Sequence, residues 1–132
     1  MANDSKNSLN NIPAFVSEWT DEYFHKSAFD IPIKYPSKKT IGFLSQFRKK
    51  CDIVLYRGMN KYNKDNELVT SWTYDKKIAR GYAQNSNKVV KRIFTEKDIL
   101  LDTTILDAKQ RQFLGYDYEF DDKEVLVFSN SY

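Results

Sequence analysis

The chain has 132 residues, 41% of them hydrophobic and 15% aromatic, with a formal charge of +3. That length suits one compact domain, and the apolar share excludes wholesale disorder. A single cysteine (Cys51) and a single histidine (His25) exclude an internal disulfide framework and a His/Cys zinc site, and no apolar run approaches the roughly 20 residues that span a bilayer.

Residues 1–11, "MANDSKNSLNN", are polar, have no signal-peptide core and are expected to be flexible; a reducing cytoplasm is the expected setting. Around and after Pro13, apolar residues recur at Ile12, Phe15, Val16, Trp19 and Tyr23, a spacing that predicts a helix with one buried face. "DIPIKYP" (30–36) interrupts it with two prolines. Ser37 can cap a second helix, with Ile41, Leu44 and Phe47 on one face; Lys38, Lys39, Arg48, Lys49 and Lys50 around its ends read as a solvated surface. Shorter elements follow. "DIVLY" (52–56) and "ELVTSWT" (67–73) predict strands around the polar loop 60–66. Asp75 can cap a helix running to about Gln84, with Ile78, Ala79, Tyr82 and Ala83 inward. "KVVKRIF" (88–94) and "DILLD" (98–102) predict two more strands. A short helical segment follows at about 104–113, then a loop opened by Gly115, then a last strand "KEVLVF" (123–128). Helices first and strands later predict an α+β domain over 1–132, with a helical part at 12–51 and a core at 52–128.

Three apolar segments deliver polar groups: Arg57 after "IVLY", Ser71 and Thr73 within "VTSWT", and Glu124 opening "EVLV". A cation, hydroxyls and a carboxylate converging from neighbouring strands suit an anionic ligand rich in hydroxyls, since a guanidinium donates bidentately to phosphate. Gly58 permits close backbone approach. This order resembles the Arg-Ser-Glu class of mono-ADP-ribosyltransferases. Tyr56-Arg57-Gly58 is similar to that family's arginine motif. "SWTYDKKIARGYA" (71–83) is similar to its serine motif, with Ala79 and Tyr82 at the small and aromatic places of the following helix. "DKEVLV" (122–127) resembles its Glu-x-Glu-Val-Leu element. Two departures stand out: Asp122 replaces the first glutamate, the position that in the family helps to orient or activate the acceptor, and Trp72 is a bulky centre for the serine motif.

The resemblance implies a transferase-like fold, a helical part followed by two small packed sheets around an NAD cleft. It also implies transfer of ADP-ribose from NAD, as substrate and without a metal, to a macromolecule. A host protein is the expected acceptor, with nucleic acid still open and no membrane involved. The minimal size is similar to phage or bacterial effectors acting in a host cytoplasm. Glu124 would stabilise the oxocarbenium that develops as nicotinamide leaves. Arg57 would hold the phosphates, Gly58 would offer backbone to the nicotinamide amide, and Ser71 would bond near the ribose or Glu124. Thr73 would brace the carboxylate, Tyr82 would stack on nicotinamide, and Asp122 would position the acceptor. Strand alternation lets Asp122 and Glu124 share a face. Tyr116, Tyr118 and Phe120 lie where the family's substrate-recognition loop falls. By alternation Trp72 points to the opposite face of the sheet, and Trp19, His25 and Cys51 read as structural. The competing readings are an NAD glycohydrolase, which passes ADP-ribose to water, and a binding protein that keeps the fold without the chemistry.

Overall fold

The computed structural model describes residues 12–27, 35–59, 69–116 and 122–128. Helix α1 (Ala14–Ser27) buries Val16, Trp19, Thr20 and Tyr23, an i, i+3, i+4, i+7 stripe, with the rings of Trp19 and Tyr23 stacked 5.4 Å apart. Phe15, expected on that stripe, stands 43% exposed, one position off the buried line. Helix α2 (Lys38–Leu44) starts where expected: the Ser37 hydroxyl accepts the Thr40 amide at 3.2 Å, and Leu44 and Phe47 are buried.

The strands are β1 (Ile53–Gly58), β2 (Val69–Thr73), β3 (Val89–Phe94), β4 (Ile99–Asp102) and β5 (Glu124–Phe128), with helix α3 (Lys76–Ala83) between β2 and β3 and helix α4 (Ala108–Leu114) between β4 and β5. They form one five-stranded antiparallel sheet, in the order β3-β1-β2-β5-β4. Two packed sheets were expected; the described residues form one, because β1 and β2 are bridged by the pair Tyr56–Thr73. That bridge is narrow, while β1 and β3 share six register pairs and β2 and β5 share five. The sheet therefore has a seam between β1 and β2.

Each face carries an apolar cluster. Val69, Leu101 and Leu126 meet the helical residues Val16, Trp19, Tyr23, Leu44 and Leu114 on one side. Ile53, Leu55, Trp72, Phe94, Ile99, Val125 and Val127 pack on the other. Burial on both faces explains why "EVLVF" is apolar without alternation. Trp72 points away from the Glu124 face as expected, meets Phe94 edge-on at 4.9 Å and donates its indole N–H to the Thr70 hydroxyl at 3.0 Å.

Helix α3 is seated on β1 by small residues. Asp75 caps it, its carboxylate accepting the Lys77 amide at 2.8 Å, and Ala79 and Ala83 are buried against Gly58. A Cβ at Gly58 would lie 2.0 Å from the Ala79 carbonyl oxygen, so glycine is what lets helix and strand backbones meet. Helix α4 ends at Gly115 in the left-handed conformation (φ 84°), and the chain turns back so that the Tyr116 amide donates to the Arg111 carbonyl at 2.7 Å. No helix of the described residues is long and apolar enough to cross a membrane.

Candidate functional site

Two strands that are far apart in sequence set the centre of the site. In the β2–β5 register, Ser71 lies opposite Leu126 and Thr73 opposite Glu124, so Ser71, Thr73 and Glu124 share one face. The Ser71 hydroxyl donates to Glu124 Oε2 at 2.5 Å. The other carboxylate oxygen, Oε1, is buried and has no hydrogen-bond partner of normal geometry among the described residues. Burial pushes the Glu124 carboxyl up to about 7; the Ser71 hydroxyl draws it down, the neighbouring Asp122 charge raises it further, and the Tyr116 hydroxyl draws it down. At neutral pH this group is poised between its two forms, as acid–base and charge-stabilising groups are in enzyme sites.

The entry into β5 is pinned at three successive residues. The Thr73 hydroxyl donates to the Asp122 carbonyl at 2.7 Å, the Tyr74 amide to the Lys123 carbonyl at 3.4 Å and the Thr103 hydroxyl to the Glu124 carbonyl at 2.6 Å. Lys123 between them takes a left-handed backbone, φ 49°, a conformation disfavoured for residues that carry a Cβ. Strand alternation therefore stops at Glu124 and does not carry through to Asp122, which lies ahead of the strand as expected but is not brought to the face of Glu124 by alternation. Asp122 still joins the group by another route: its Oδ2 accepts the Tyr82 hydroxyl at 2.5 Å, and its charge acts on Glu124.

Tyr82 is 50% exposed, not inward as the helical spacing suggested, because Ala79 and Ala83 take the contact with β1 and Tyr82 falls to the side. Gly58 is buried beside α3, and packing against the backbone of that helix already requires a glycine there. Tyr116, expected on a target-facing loop, is 1% exposed in the helical core, since the left-handed turn at Gly115 folds it back under α4; its hydroxyl faces Glu124. Tyr118 and Phe120 lie outside the described residues.

Arg57 reaches the group differently from the expectation. Alternation along β1 starts it on the face of Ile53 and Leu55, opposite Glu124. Its guanidinium turns into the β1–β2 seam, where Nη1 donates to the Ser71 carbonyl at 3.5 Å. The guanidinium and the Ser71–Glu124 pair are thus joined through the backbone of β2.

Two contributors had no sequence signal. Thr103, which holds Glu124, comes from the short turn after β4 and meets β5 only through the pairing of those strands. Asp102 is wholly buried and accepts the Tyr74 hydroxyl at 2.5 Å and the Thr104 amide and hydroxyl at 3.0 and 2.6 Å. It fastens the residue after Thr73 to β4, and burial with that bond pushes the Tyr74 phenol well above its ordinary range. Lys49 lies over the Tyr74 ring, 4.2 Å from its centre.

No family model, curated protein or solved structure matches this chain.

Proposed function

We propose that this protein binds NAD and transfers its ADP-ribose to a macromolecule, releasing nicotinamide. The observation that carries the reading is the Ser71–Glu124 hydrogen bond, with Glu124 Oε1 buried beside it and faced by the Tyr116 hydroxyl. A buried carboxylate oxygen with an unused lone pair fits a sugar hydroxyl, and a ribose 2′-hydroxyl placed there puts the negative charge next to the anomeric carbon. As the glycosidic bond breaks, its electron pair leaves with the nicotinamide nitrogen, and the positive charge left on C1′ and the ring oxygen is met by ionised Glu124. In surroundings that screen charge poorly, that interaction is stronger in the transition state than in the ground state. The acceptor nucleophile then bonds to C1′ and gives up its proton. Asp122, held by Tyr82 and close enough to act on Glu124, is the group suited to receive it. Arg57 against the Ser71 carbonyl supports the geometry of this pair from the seam.

The test is incubation of a bacterial lysate with NAD labelled in its adenosine half, using wild type and Glu124→Gln. Label on a macromolecule with wild type, reduced at least a hundredfold in the variant, is the expected result. Label appearing only as free ADP-ribose would identify water as the acceptor and the chain as a glycohydrolase. Equal labelling by both proteins would remove Glu124 from the chemistry.

A further inference from the structure

Strand register, not order in the sequence, decides which cations share a face with Glu124. Glu124 pairs with Thr73, Thr73 with Tyr56, and Tyr56 with Lys91. Partners in an antiparallel pair place their side chains on the same face, so these four make a row across β5, β2, β1 and β3. Lys91 stands three strand spacings from Glu124, about 14 Å along the sheet. Arg57, one position after Tyr56, starts on the opposite face.

The neighbouring row on this face is Val54 with Ile93, two residues along, and both are open to solvent: Val54 is 37% and Ile93 69% exposed. The next row in the other direction, Gly58 with Val89, is closed by α3 seated on Gly58. The β1–β3 half of the sheet thus presents an open strip with an exposed lysine, a half-buried tyrosine and an exposed aliphatic pair, bounded by α3 at one end and, on the side of Glu124, by the buried Thr73. A lysine on an edge strand is commonly explained as protection against strand-to-strand association. That accounts for Lys91 but not for the isoleucine left exposed beside it.

We propose that this strip is the subsite for the adenosine diphosphate half of the dinucleotide, with Lys91 meeting a phosphate and Tyr56, Val54 and Ile93 carrying the purine. The proposal rests on the reading of NAD as substrate. Charge complementarity selects the phosphate for Lys91, and the flat apolar faces of a purine suit an aliphatic pair beside an aromatic ring. Arg57 then braces the seam between β1 and β2 while the phosphate charge is met from the Glu124 face. Lys91 and Ile93 become binding residues that no motif singled out.

Isothermal titration calorimetry with NAD, ADP and nicotinamide riboside, the last lacking both phosphates and adenosine, tests this on the intact protein. Lys91→Gln and Ile93→Ser change exposed side chains, and a thermal melt checks that each variant keeps its fold. The expected result is about tenfold weaker binding of NAD and ADP by each variant, with the riboside changed less than twofold. NAD and ADP affinities within twofold of wild type in both variants would overturn the subsite while leaving the NAD reading in place. Equal weakening of the riboside would overturn it too, by moving these residues to the nicotinamide end. Wild type that binds none of the three ligands would remove the NAD reading itself, and the subsite with it.

Discussion

Replacing Gly58 by alanine tests how β1 and α3 are fastened together. The added Cβ would sit 2.0 Å from the Ala79 carbonyl oxygen, 2.5 Å from the Ala83 nitrogen and 2.9 Å from the Tyr82 carbonyl carbon. All three are backbone atoms, so no side-chain rotation relieves the clash. Reaching ordinary contact at about 3.4 Å needs the helix to lift by about 1.4 Å, the difference between 3.4 and 2.0. That separates Ala79 and Ala83, now 0% and 1% exposed, from the strand, and pulls on the Tyr82–Asp122 bond. Overpacking costs about 1–3 kcal/mol where side chains can adjust, and against fixed backbone the upper end or more applies. The restricted unfolded chain returns about 0.4–1 kcal/mol, leaving a net loss of about 2–3 kcal/mol. For a domain of this size that lowers the melting midpoint by about 10 °C. Urea unfolding followed by tryptophan fluorescence, with linear extrapolation, measures it. Gly42→Ala is the control: it lies within α2 with nothing inside 4 Å of its added Cβ, so the same substitution there should stabilise by about 0.5–1 kcal/mol. A Gly58→Ala protein within about 1 kcal/mol of wild type would refute the packing account. If that protein also failed to bind NAD, the glycine would belong to the ligand and not to the helix.

Three further outcomes follow from buried carboxyl groups. Glu124 is raised by burial from 4.5 to about 7, so its protonated form is favoured in the folded protein; its contribution is fully present below the unfolded value and is lost as pH rises through about 7. Glu124→Gln should therefore gain stability relative to wild type between pH 4 and pH 8, by up to about 3 kcal/mol, and denaturation curves at the two pH values that differ from wild type by the same amount would contradict it. Activity that needs the ionised carboxylate should rise through the same interval in wild type. Tyr74→Phe removes one of the donors to the wholly buried Asp102 and should cost about 1–3 kcal/mol in the same unfolding assay. A loss below about 0.5 kcal/mol would mean that Thr104 alone satisfies the carboxylate.

The elements set by neighbouring residues were legible in the chain. Ser37 and Asp75 cap helices because their oxygens reach the amides of the next turn, and Gly115 ends α4 because it accepts a left-handed backbone. That these residues come together was legible: Ser71, Thr73, Tyr82, Asp122 and Glu124 are linked by hydrogen bonds or charge across β2, α3 and the start of β5. How they are linked was not. Tyr82 turned outward to Asp122, Tyr116 folded inward toward Glu124, and the left-handed Lys123 broke the alternation between Asp122 and Glu124.

From the amino-acid order alone came the α+β class, the strand and helix positions and the residue types of the site, because periodicity, caps and turns act over a few residues. Only the tertiary structure decided that the strands form one sheet with a seam, that Arg57 enters from the far face, and that Lys91 stands in the row of Glu124. Those outcomes depend on register between strands tens of residues apart. A shift of one residue would send every side chain of a strand to the other face, and long-range pairing is what sets it.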